Sequence, residues 1–175
     1  MGEARRVVPA TQGHSIEGLV DWWTQSTSLW RLELGSPCDA AVAWQPFNKS
    51  HSIGAILLHL ADVEGRWIEE FLNGKARPAD ELALLRTDIN RPHEGAWVDP
   101  PDWPFSQYVE VLAWIRNRSV ATLRRFASAD YEFEGPRGQT TINEAVRFLC
   151  FHEAYHAGQA VLHRVHFEWG GIEPG

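Results

Sequence analysis

The residues best suited to chemistry are two histidines four apart, in the run Phe151-His152-Glu153-Ala154-Tyr155-His156-Ala157-Gly158-Gln159. On a helix, positions four apart sit about 40° apart around the axis and one turn along it, so both imidazoles leave one face and can grip one ion. A metal centre needs a third ligand from elsewhere. The run also spells His-Glu-x-x-His, in which zinc proteases use the glutamate as general base. Their extended form requires Gly at 159 and His at 162, where this chain carries Gln159 and Leu162. Their other form takes a glutamate from a later helix, and Glu168 and Glu173 stand too near His156 to return from one. A protease is therefore not expected. Glu153 lies about 100° off the histidine face, which predicts a place on the surface or behind a ligand.

Four segments with helical periodicity must position these groups. The first runs from about Ser15 to Leu34, with Ile16, Leu19, Val20, Trp23, Trp30 and Leu34 as core, and stops at Gly35 with Pro37 beyond. The second starts at Ser50 or Ser52, either of which can cap it. It sets Ile53, Ile56, Leu57, Leu60, Trp67 and Phe71 on one face before Asn73-Gly74. The third opens near Pro104 and carries Phe105, Val109, Leu112, Ile115, Leu123 and Phe126. The fourth begins at Thr141-Ile142-Asn143-Glu144, the spacing of a capping box, and continues to about His166. Little strand-like alternation remains. The expectation is an all-α chain, a four-helix bundle forming a single domain over residues 1–175, with a long crossover between the second and third helices. That crossover, residues 75–103, holds Pro78, Pro92, Pro100 and Pro101 around a possible short helix from Asp80 to Arg86. It reads either as a packed connection or as a lid over a site, in which case Trp97 and Trp103 would touch a ligand.

His59 sits in the second helix, at the edge of the apolar face set by Ile56, Leu60 and Val63, where a neighbouring helix would approach. Its position alone leaves two readings open, a hydrogen-bonded core histidine or the missing ligand. With His59, His152, His156, Gly158 and Gln159 together, the chain resembles the DinB-like family of bacterial four-helix-bundle metalloproteins, whose relatives include thiol-dependent S-transferases. In that family a histidine of the second helix joins two histidines four apart in the last, commonly in a His-x-x-x-His-x-Gly-Gln run. The resemblance spans roughly Ser15 to Arg164, and its specific part is the two histidine segments. It implies a divalent metal ion, zinc or nickel, on His59, His152 and His156, and a small-molecule substrate, with a low-molecular-weight thiol as partner.

Such a site would be catalytic in type. Three neutral imidazoles leave the ion its full charge and open positions, and so lower the pKa of a bound thiol or water. Three outcomes stay compatible with the residues: thiol-dependent transfer, hydrolysis, and binding of metal or small ligand without catalysis. Thiol transfer would want cations at the site, and Arg66, Arg147 or Arg164 could serve. Asp62, one turn after His59, is a candidate to support that ligand. Cys150 lies about 160° around the helix from His152, so it reads as buried structure rather than a nucleophile. His163 is two turns beyond His156, about 10.5 Å along the axis, too far to share an ion. It and His166 are expected either as solvated helix-end residues or along the pocket, and His14, His51 and His93 receive no role.

Composition removes other classes. A formal net charge of -7 and a pI near 5.6 supply no basic stripe, so nucleic acid is not an expected partner. No apolar stretch approaches the roughly 20 residues that span a bilayer. Met1-Gly2 opens like a myristoylation signal, but Arg6 stands where Ser or Thr is required. Two cysteines and no leader-like segment point to the reducing cytoplasm. The first and third helices carry more large apolar residues than one stripe holds, with Trp22 beside Trp23 and Trp114 beside Ile115, which predicts a homodimer.

Overall fold

The computed structural model describes residues 15–170, apart from 49, 89, 90 and 96 and the side chain of His93. Gly2, Arg6 and His14 lie outside the described residues. Helix α1 spans Ile16–Leu34. The Ser15 hydroxyl accepts from the Gly18 amide at 3.1 Å, satisfying one orphan donor, and Gly35, at φ +64°, ends the helix by donating to the Arg31 carbonyl. All six residues expected inward are buried. A short helix α2, Asp39–Ala43, follows; five residues are too few for a periodic signal.

Helix α3, Ile53–Gly65, is capped by Ser52, whose hydroxyl accepts from Ala55, rather than by Ser50. Every residue of α3 except Val63 is buried, as befits a helix covered on several sides. Gly54 is needed there: a Cβ would stand 2.7 Å from Pro100 and 2.9 Å from the Tyr108 hydroxyl. The helix then widens into a π-helical segment, Arg66–Leu72. Such segments shift the register of everything beyond them and recur at functional sites. After α4 (Ala79–Leu84), close to the short helix expected, and a 3-10 turn at Pro92–Glu94, helix α5 runs Phe105–Leu123.

The buried stripe of α5 differs from the expected one. Tyr108, Val111, Ile115, Ser119, Thr122 and Leu123 face inward, while Phe105, Val109 and Leu112 are half-buried. The apolar pattern misleads because Thr122 is buried with a partner, its hydroxyl donating to Glu69 at 2.9 Å. A two-stranded antiparallel hairpin, absent from the expectation, links α5 to the last helix: β1 is Glu132–Gly135 and β2 Gly138–Thr141. Its turn is Pro136-Arg137, followed by Gly138 at φ +102°, and four-residue strands are too short to show alternation.

Helix α6, Ile142–Trp169, opens with the expected capping box: Glu144 accepts from the Thr141 amide at 2.9 Å, and the Thr141 hydroxyl accepts from Glu144 at 3.2 Å. The described chain is thus mostly helical, with α1 packed on α6, and α3 on both α5 and α6. Two apolar clusters fill it. One joins α1, the π segment, the hairpin and the start of α6, and the other joins the end of α1 to α3, α5 and the second half of α6. No helix among the described residues is long and apolar enough to cross a membrane.

Candidate metal centre

Helices α3 and α6 bring His59, His152 and His156 together, with one possible ligand atom from each within 4.8 Å of the others. The ring centroids lie 4.6 to 5.0 Å apart and the planes meet at 61° to 80°, so edges converge where stacked rings would bury their nitrogens. His59 and His156 are buried and His152 is half-buried, which leaves one side open. The Nε2 atoms of His59 and His152 stand 3.1 Å apart. Two nitrogens of a tetrahedral site with bonds of about 2.0–2.1 Å would be separated by about 3.3 Å, so this pair fits one ion between them. His156 Nδ1 donates to Gln159 Oε1 at 2.7 Å, which directs its Nε2 as the lone-pair nitrogen. The three-histidine group could hold a metal ion, and no carboxylate or thiol among the described residues joins it. Gly158, between His156 and Gln159, has open space where a Cβ would be, so the geometry assigns it no steric role.

Aromatic rings surround the imidazoles. Phe148 lies parallel to His152 at 5.7 Å, and Trp97 meets His59 edge-on at 5.4 Å. Trp97 comes from the 75–103 stretch, whereas Trp103, from the same stretch, packs on Tyr108. On the open side a cleft of about 310 Å³ is bordered by His59 and His152, by Val63, Arg66, Trp67 and Phe71, and by Pro136, Arg137 and Phe148. Of the three arginines expected, only Arg66 reaches it. Arg147 bonds Asn143 beside the start of α1, and Arg164 lies towards Gly35 and Glu168. Arg137 was missed, because a solvated turn residue gives no sign of what the turn folds against.

Several expectations need correction. Glu153 is neither at the surface nor behind a ligand. It is buried on the other side of α6, where its carboxylate accepts from Trp23 Nε1 (3.0 Å), Trp30 Nε1 (3.1 Å), Thr27 Oγ1 (2.7 Å) and Arg116. Arg116 also binds Glu64, whose carboxyl burial pushes upward against the pull of that guanidinium. The motif glutamate therefore clamps α6 to α1 and α5, and no protease chemistry attaches to it. Asp62 is engaged by Arg77 (2.9 Å), Thr87 (2.7 Å) and Arg66 (3.3 Å) in a second ionic cluster. His163 is not solvated: it is buried against His51, ring centroids 4.8 Å apart, and His51 in turn lies on Trp97. Burial drives the His163 pKa down to about 4, with help from His51 and His166. His166 is exposed, edge-on to Trp44. Cys150 is buried as expected, and burial first, then the charge of Glu153, pushes its thiol up to about 12, so it supplies no thiolate near neutral pH.

The family model of the DinB superfamily matches residues 14–160, a span that takes in α1, all three histidines and Gln159. No curated protein matches the chain.

Proposed function

The chain belongs to the DinB superfamily, and from that premise we propose that His59, His152 and His156 hold one divalent cation, zinc or nickel, in a transferase that uses a low-molecular-weight thiol. The observation that carries this reading is the convergence of three imidazoles from two helices, without a carboxylate, beside an open cleft. A dication on three neutral ligands supplies Lewis acidity and lowers the pKa of a thiol that binds it. The chain's own residues do the rest. Gln159 fixes the tautomer of His156, Phe148 and Trp97 wall the rings, and the cleft offers Trp67, Phe71 and Phe148 to an apolar substrate. The nucleophile belongs to the cosubstrate, since the Cys150 thiol stays protonated. The same reading takes α1, α3, α5 and α6 as a four-helix bundle with residues 75–103 as its crossover, in a cytoplasmic homodimer.

Metal analysis of the purified protein should give close to one ion per chain. His59→Ala, His152→Ala and His156→Ala should each lose most of it while the helical circular dichroism persists, because the large core does not depend on the ion. Full metal retention in all three variants would sink the assignment. With metal bound, a panel of thiols and simple electrophiles should show turnover that chelation abolishes. Turnover of an ester or amide without any thiol would replace transfer by hydrolysis.

A further inference from the structure

We propose that the cleft beside the three histidines selects a substrate with an oxyanion group next to an apolar body, and that Arg137 and Arg66 hold the oxyanion. The protein carries a net charge of -7 with 23 acidic residues, yet among the described residues none that borders this cleft is acidic. Among the described residues, its charged borders are the two arginines. Arg137 sits at the tip of the hairpin, exposed, and makes no ion pair or hydrogen bond among the described residues. Its guanidinium carbon lies 5.5 Å from the centre of the Phe148 ring, the same ring that lies parallel to His152. It is thus held over the approach to the imidazoles with its donors unused.

Arg66 opens the π segment and borders the same cleft, with its side chain 42% exposed. Its ion-pair partner among the described residues, Asp62, is bound more closely by the buried Arg77 and by Thr87, so the Arg66–Asp62 contact at 3.3 Å is the weakest of the three and can yield to a ligand. In the same cleft, Trp67 packs against Phe148 at 4.9 Å and Phe71 at 6.0 Å, an apolar bed for the rest of the molecule. Guanidinium groups favour planar oxyanions through paired N–H donors, and two of them beside an aromatic floor reject a neutral analogue of the same shape. That the histidine end of the cleft is where reaction occurs rests on the proposed function; the selection itself belongs to the arginines.

The test is calorimetric titration of the full chain, as purified with its metal, with 3-phenylpropionate and with its neutral amide. Arg66→Gln/Arg137→Gln should weaken the acid by about tenfold, the scale of lost hydrogen bonds to a charged group, with each single variant in between. The amide's affinity and the metal content should not change. Because the ion is the same in every variant, any bond it makes to the carboxylate cancels in the comparison. An acid that does not bind, an acid affinity unmoved by the double substitution, or an equal loss for acid and amide would each overturn the proposal. Protein that carries no ion would refute the three-histidine reading alone, and the same titrations on it would still judge the arginines.

Discussion

At the scale of single residues, two neighbours of the histidines do opposite work. Gln159 meets one imidazole, its Oε1 accepting the Nδ1 proton of His156 at 2.7 Å. Glu153 points away from the three imidazoles and gathers two indoles, a hydroxyl and a guanidinium from α1 and α5. Substituting each should therefore move a different observable. Gln159→Ala should weaken metal binding by about 10–100-fold with little change in stability, as removal of an outer hydrogen bond to a ligand does. Glu153→Ala leaves both indole N–H groups without that acceptor in the interior and Arg116 with Glu64 as its carboxylate partner, and should cost about 2–4 kcal/mol in denaturant unfolding, the scale of buried donors left unsatisfied. A Gln159→Ala protein with unchanged metal affinity would remove the tautomer argument. A Glu153→Ala protein of native stability would remove the clamp.

At the scale of elements, α6 meets its neighbours with three faces. Its imidazole face meets α3, its Glu153 face meets α1 and α5, and its last turns meet the residues around α2, where His163 is buried against His51. That last contact predicts a pH dependence. His163 has a folded pKa near 4 against 6.5 when free, so between those values the unfolded chain binds the extra proton. Stability from keeping it neutral is complete above about pH 6.5 and is lost as pH falls towards about 4. The groups facing it, His51 and His166, act in the same direction, since each repels its charged form. Urea unfolding of the wild type should thus lose about 2 kcal/mol more than His163→Leu between about pH 7 and pH 5. Parallel losses in the two proteins would show that His163 is protonated without penalty. The π segment and the hairpin are the other elements of consequence, because each contributes one arginine to the rim of the cleft.

At the scale of the whole molecule, apolar side chains remain outside. On α6, Phe151, Tyr155, Leu162 and Trp169 are exposed at spacings of four and seven, which is one stripe; on α1, Trp22, Leu29 and Leu32 form another. Helix α5 contributes only Trp114, partly covered by Arg118 at 5.0 Å. The proposed dimer therefore belongs to α1 and α6, where the sequence had suggested the first and third helices. Sedimentation at micromolar concentration should give a dimer, and Leu162→Glu should shift it towards monomer. A monomeric wild type would refute the pairing.

What the sequence determines by itself is local. Ser15, Ser52 and Thr141 cap helices because their hydroxyls meet amides within three residues, and Gly35 ends α1 by a conformation other residues avoid. His152 and His156 share a face because helical spacing alone puts them there. His59 could be matched to them only through family resemblance, since 93 residues separate it from His152 and no short-range rule spans that distance. Tertiary packing decided the rest. Glu153 is buried because Trp23, Trp30 and Arg116 arrive from other helices to receive it, and Arg137 borders the cleft of the histidines because its hairpin folds back beside Phe148. Periodicity shows which faces are apolar; which faces meet is settled by shape and charge between segments far apart in the chain.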